Sequence, residues 1–162
     1  MLLFIIVSKQ EEEMRAVVTR VNSASVEIDG KIHGAIDKGF LVLLGVGPDD
    51  TEEDAAIMAE KICNCRIFPD EEDKMNLNLE AVGGSLLVVS QFTLFADVKK
   101  RRPSFSGAGK PEIAIPLYEK FMSICREKGF RVEHGEFGAM MKVSSENDGP
   151  VTLLFDTAEW RK

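Results

Sequence analysis

Histidine and cysteine are scarce in this chain, at two and three in 162 residues. Three cysteines, Cys63, Cys65 and Cys125, cannot all pair within one chain. That excludes a disulfide scaffold and suits a reducing, cytoplasmic setting. His33 and His134 stand far apart, with no second ligand at metal spacing, so each reads as a surface or hydrogen-bonded structural residue. Cys63-Asn64-Cys65 lacks a further Cys or His pair and reads as helix packing, not as a zinc site. No metal and no cofactor are expected. The chain has no Gly-x-Ser-x-Gly elbow, no phosphate loop and no His-Glu-x-x-His pair, so the standard hydrolytic, nucleotide-binding and metalloprotease machinery is missing. No apolar run approaches the ~20 residues of a membrane span. Cations are outnumbered, 20 Lys and Arg against 27 Asp and Glu, and the net charge of −7 excludes a protein that coats nucleic acid.

What is present is the composition of one soluble domain: 44% apolar and 29% charged residues. Residues 1–13 open with the apolar run Met1–Val7 and lead into Glu11-Glu12-Glu13; the run is too short to span a membrane and lacks the basic start of a signal peptide. We read them as an extension, an added strand or sequence upstream of a second start at Met14, with residues 14–162 as the domain. Val26 and Ile28 alternate with polar residues before Asp29-Gly30, the dipeptide of a type I′ hairpin turn. Phe40–Leu44, fenced by Gly39 and Gly45, predicts a strand buried on both faces. Thr51 and Asp54 have the spacing of a capping box, and Ala55, Met58, Ala59 and Ile62 follow on one helical face. Gly83-Gly84 opens a second apolar strand running from Leu86 into Ser90–Phe95. A second helix begins at Pro111 or Pro116 and ends at Gly129. Strands close the chain around 131–133, 139–144 and 151–155. Two main helices, several hairpins and no regular strand–helix alternation predict an α+β fold: a mostly antiparallel, barrel-like or two-layer sheet packed with two helices in a single domain.

Three segments stand out chemically. As a strand, Ser90–Asp97 puts Gln91, Thr93 and Phe95 on one face and Ser90, Phe92 and Leu94 on the other. Gln91 and Thr93 then either converge on a pocket or end a strand in solvent. Asn147-Asp148-Gly149-Pro150 before Val151–Phe155 is by pattern a turn leading into a strand. Lys99-Lys100-Arg101-Arg102 is four consecutive cations in an acidic protein, either solvated surface or a place for a polyanion.

From Met14 onward the chain resembles the D-aminoacyl-tRNA deacylase family over almost its whole length. The resemblance is carried by Met14-Arg-Ala-Val-Val18, Val42-Leu-Leu-Gly45, Lys74-Met-Asn-Leu77, Ser90-Gln-Phe-Thr-Leu-Phe-Ala-Asp97, Arg102-Pro-Ser-Phe105, Phe137-Gly-Ala139 and Asn147-Asp-Gly-Pro-Val-Thr152. This chain departs from the usual pattern by lacking a Gly in its basic loop, by Met140 where an acid is common, and by its leader.

The resemblance implies hydrolysis of the ester between a D-amino acid and the terminal ribose of tRNA, a form of chiral proofreading, with glycine-charged tRNA also accepted. It implies main-chain oxyanion stabilisation around Ser90, Gln91, Phe92 and Thr93, with the substrate's own ribose hydroxyl assisting the water. Thr93 is the candidate nucleophile, weighed below a positioning role because no base adjoins it in sequence. Gly149-Pro150 would be a cis pair inserted from one subunit into the other's site, receiving the α-ammonium and excluding L side chains, with Arg20 holding that loop. Phe137 and Met141 would wall the terminal adenosine, or serve as ordinary core residues. Lys99, Lys100, Arg101 and Arg102 would meet the acceptor end of tRNA. A homodimer and no membrane follow. Two rival readings are a non-enzymatic nucleic-acid-binding protein and an esterase acting on another aminoacyl ester.

Overall fold

The computed structural model describes residues 13–160; apart from Glu13, the expectation for residues 1–13 lies outside them. Strand β1 (Arg15–Ile28) runs through the Asp29-Gly30 turn into β2 (Lys31–Ile36), and β3 (Gly39–Gly45) follows. Asp29 and Gly30 take φ +51° and +77°, the left-handed pair that a type I′ turn requires. Helix α1 (Glu52–Cys63) comes next, then the short strands β4 (Phe68–Pro69) and β5 (Met75–Leu77) and the longer β6 (Ser85–Ser90). Helix α2 (Pro111–Glu127), β7 (Val132–His134) and β8 (Lys142–Asp156) complete the order.

β1 is the hub. One edge pairs antiparallel with β3 over Arg15–Val21 and with β2 over Ala24–Ile28, and the other pairs antiparallel with β8 along nearly the whole strand. Beyond β3 the sheet turns parallel, β3 to β6 and β6 to β7. The sheet is thus mostly antiparallel as expected, with two parallel ladders that the sequence reading did not foresee. Each has a helix in its crossover, α1 before β6 and α2 before β7, as parallel strands require. β7 also approaches β2, where Arg131 Nη2 donates to the Ala35 carbonyl at 3.2 Å, so the sheet nearly closes on itself.

The apolar runs at β3 and β6 have two cores to fill. Phe40, Val42, Leu44, Leu86 and Val88 face the helices, where Met58, Ile62, Leu117 and Phe121 pack on them. Leu41, Leu87 and Val89 point the other way, into a smaller core with Val21, Val26 and Ile36. Strands buried on both faces need no polar alternation, as seen here. α1 starts as its spacing predicts, the Thr51 amide donating to the Asp54 carboxylate at 2.8 Å. α2 starts at Pro111, keeps Pro116 inside and ends before Gly129 at φ +95°.

Two expectations need correction. The predicted strand Ser90–Phe95 stops at Ser90, and Phe92–Phe95 form a 3-10 turn. Gln91, Thr93 and Phe95 therefore do not share a strand face. The turn folds onto Gly45, where even a Cβ would lie 2.9 Å from the Phe95 ring and 3.0 Å from the Gln91 carbonyl. That tertiary contact outweighs the strand preference of Phe-Thr-Leu-Phe. The segments predicted at 139–144 and 151–155 are one strand, β8, because both halves pair with the same long β1.

Candidate active site

At the C-terminal end of β6 the chain leaves the sheet and builds one wall of a groove of about 730 Å³. Ser90, Gln91, Phe92 and Thr93 line it, as do Phe137 and Met141 from the loop before β8. The sequence reading missed Phe105, Gly109 and Pro111, which line the groove as well. Phe105 was the available signal, a lone aromatic in a polar stretch; it meets Phe92 edge-on with ring centroids 5.5 Å apart. Gly109 fits because its N–H donates to the Val46 carbonyl at 2.8 Å, and a Cβ there would come within 2.8 Å of the Gly47 carbonyl oxygen.

The turn itself is firmly placed. The Gln91 amide donates to the Leu44 carbonyl at 2.8 Å, and Arg15 Nη1 donates to the Leu94 carbonyl at 3.1 Å while its guanidinium lies 4.9 Å above the Phe95 ring. The first hydrogen bond within the turn is made by the Leu94 amide, to the Gln91 carbonyl at 3.2 Å. The Phe92 and Thr93 amides precede it and, as at any helix start, have no partner inside the turn. Gln91 Nε2 donates to Thr93 Oγ1. Among the described residues no side chain lining the groove is ionisable.

Gly149 and Pro150 are exposed and do not line this groove. Asn147 pairs with Val21 and Thr152 with Thr19, so residues 148–151 stand opposite the single residue Arg20 and bulge out of β8. The Gly149–Pro150 peptide bond is cis, and Gly149 has φ +131°. The bulge is tied at both ends. The Val151 amide donates to Asn147 Oδ1 at 2.9 Å, and Arg20 Nε donates to the Asp148 carbonyl at 3.1 Å. The same guanidinium lies 3.2 Å from the Asp148 carboxylate and, through Nη1, donates to the Ile67 carbonyl at 2.5 Å. A planar fork with several donors suits such a junction. Sequence reading named Arg20 but not Asp148, its charge partner.

Lys99, Lys100, Arg101 and Arg102 are all exposed, on a loop closed at its base by paired bonds between Asp97 and Ser104 at 2.7 and 3.0 Å. They lie next in sequence to the Phe105 wall. Cys63 and Cys125 meet where α1 packs on α2, sulfurs 3.7 Å apart in the core; the shared hydrogen bond lowers the Cys63 pKa, and together with burial raises that of Cys125. Cys65 is half-buried, and desolvation raises its pKa.

A family model described as D-Tyr-tRNA(Tyr) deacylase matches residues 17–156. A D-aminoacyl-tRNA deacylase of Thermus aquaticus is 56% identical over 147 residues, covering 90% of this chain and 97% of the relative. One from Thermosipho africanus (strain TCF52B) is 57% identical over 145 residues, covering 89% and 97%. Among solved structures, a c-Myc DNA Unwinding Element Binding Protein superposes with TM-score 0.82 at 39% identity, covering 88% of this chain and 97% of that one. A probable eukaryotic D-amino acid tRNA deacylase gives TM-score 0.77 at 20% identity, covering 88% and 98%, a likeness of fold.

Proposed function

The chain belongs to the D-Tyr-tRNA(Tyr) deacylase family, and from that premise we propose that the groove at the end of β6 is where it hydrolyses D-aminoacyl-tRNA to free D-amino acid and tRNA. The observation that carries the assignment is a groove without ionisable side chains among the described residues, walled on one side by a tight turn that begins with two main-chain amides. An aminoacyl ester is already activated by the adjacent ribose hydroxyl and the α-ammonium. Hydrolysis adds water to the carbonyl carbon; negative charge builds on the carbonyl oxygen, and the ribose oxygen departs with a proton. Main-chain N–H groups of Phe92 and Thr93 facing that oxygen stabilise the charge, and the ribose hydroxyl helps to activate the water.

Thr93 positions and does not attack: its hydroxyl accepts from Gln91, and no histidine lines the groove among the described residues. Thr93→Val should therefore keep kcat within about tenfold of the wild type in a single-turnover assay, whereas loss of a true nucleophile costs several orders of magnitude. Chirality is read by Gly149 and Pro150 of a second copy; within one subunit they lie outside the groove. The second copy docks on the exposed face of β8, where Leu154 is 81% exposed. Phe137 and Met141 hold the terminal adenosine, and Lys99–Arg102 meet the phosphates of the acceptor end. The reaction takes place in the cytoplasm and needs no cofactor. No helix among the described residues is long and apolar enough to cross a membrane.

A parallel time course with D-Tyr-tRNA and L-Tyr-tRNA tests the assignment. Rapid loss of the D-ester with the L-ester spared is expected. Equal loss of both would remove the Gly149–Pro150 filter and favour a general aminoacyl esterase. Binding of nucleic acid without ester cleavage would favour a non-enzymatic module, the reading suggested by the name of the 39% identical structure but opposed by the net charge of −7.

A further inference from the structure

A second cavity, of about 550 Å³, lies on the other side of the loop that walls the groove. Residues Gly135–Phe137 line this cavity and Phe137–Met141 line the groove, so one short loop separates the two and Phe137 faces both. The loop is held close: a Cβ on Gly135 would collide with the Met141 sulfur, and the Ala139 amide donates to the Glu136 carbonyl at 3.2 Å.

Across the cavity the side chains are unlike those of the groove. His33 from β2 and His134 from β7 meet edge-on, ring centroids 5.7 Å apart at 65°. The His134 Nδ1 proton is committed to the Gly135 carbonyl at 2.5 Å. Arg126, exposed on the last turn of α2, makes one long bond among the described residues, to the Val132 carbonyl at 3.4 Å, which leaves most of its donors for a ligand. The carboxylates of Glu119 and Glu136 complete the polar lining.

We propose that this cavity receives the penultimate nucleotide of the acceptor end, a cytidine, while the terminal adenosine and its amino acid occupy the groove; the inference rests on the deacylase reading. Strand continuity supplies the first reason. The nucleotide before the adenosine must leave the groove over a rim, and the rim at Phe137 leads directly into a base-sized recess. The cationic loop beyond Phe105 instead presents open charge, suited to the phosphates of the stem. Chemistry supplies the second. Imidazole faces stack on a splayed base, a carboxylate accepts from the exocyclic amine of cytosine, and a guanidinium binds a phosphodiester. The two carboxylates repel phosphate, so the phosphodiester lies against Arg126 and the base amine against a carboxylate.

The test compares two minimal substrates, the D-tyrosyl ester of adenosine and the D-tyrosyl ester of the trinucleotide CCA, on wild type, His33→Ala and Arg126→Gln. Wild type should show a lower KM for the trinucleotide. Each variant should raise that KM about tenfold, the scale of one lost stacking or phosphate contact, at unchanged kcat. On the adenosine ester, which does not reach the cavity, both variants should match wild type. Equal KM values for the two substrates on wild type, or trinucleotide KM unmoved by either variant, would overturn the proposal. So would parallel losses on both substrates, which mark a structural role. Wild type inactive on both esters and on D-Tyr-tRNA would remove the deacylase reading and this subsite with it.

Discussion

Gly149→Ala is expected to lower kcat/KM for D-Tyr-tRNA by about a hundredfold or more, the scale on which displacing a positioning group by an ångström acts. Gly149 has φ +131°, a backbone region that residues with a Cβ rarely enter. A Cβ there would lie 2.8 Å from Val151 Cγ2 and 3.0 Å from an Arg20 guanidinium nitrogen, so the bulge must move to admit it. The sheet pairs around the bulge, not through it, so the variant should fold. Steady-state kinetics with both enantiomers, beside circular dichroism and sedimentation, check the result. A folded variant with wild-type activity and wild-type selectivity would remove the loop from the mechanism.

The second large effect is on stability. Arg20→Ala should destabilise the protein by roughly 2–3 kcal/mol, read from urea unfolding, and abolish most of the activity. Removing the guanidinium leaves the Ile67 carbonyl without its donor and the Asp148 carboxylate without its cation. The Asp148 side chain is about one-third exposed, at 33%, so water recovers part of the loss and the figure stays below that of a fully buried pair. Arg20→Lys should recover the charge but not the fork, since one ammonium cannot reach two carbonyls and a carboxylate in the same geometry. Stability should return in part while activity stays low, because the bulge is anchored through two groups of Asp148 at once. Full rescue by lysine would show that charge alone matters.

The parts of this fold that could be read in advance are those whose signals are local. The Asp29-Gly30 turn, the Thr51 start of α1 and the Gly129 end of α2 each depend on a few neighbouring residues and hydrogen bonds. The double-sided burial of Phe40–Leu44 was also legible, because a run without polar alternation has no face to give to water. Pairing partners were not. Whether β6 joins β3 in parallel is decided by helices that fill the crossover, and no single residue marks it. Ser90–Thr93 was found by motif, but its conformation was misread because the 3-10 turn depends on Gly45, which lies far away in sequence. The groove lining at Phe105, Gly109 and Pro111 and the Arg20–Asp148 pair were hidden for the same reason: each is a contact between distant segments.

That distance has a consequence for the life of the molecule before it is ever an enzyme. Arg20 and Asp148 are separated by 128 positions, and at ~5–20 residues per second a ribosome needs on the order of ten seconds to make the second after the first. Through that interval β1 has β2 and β3 beside it, but its other edge has no β8 to pair with and stays open to water or to a neighbouring nascent chain. Contacts of such long range also slow folding once the chain is complete. The Gly149–Pro150 loop is therefore among the last features to be assembled, on a frame whose central strand has waited longest.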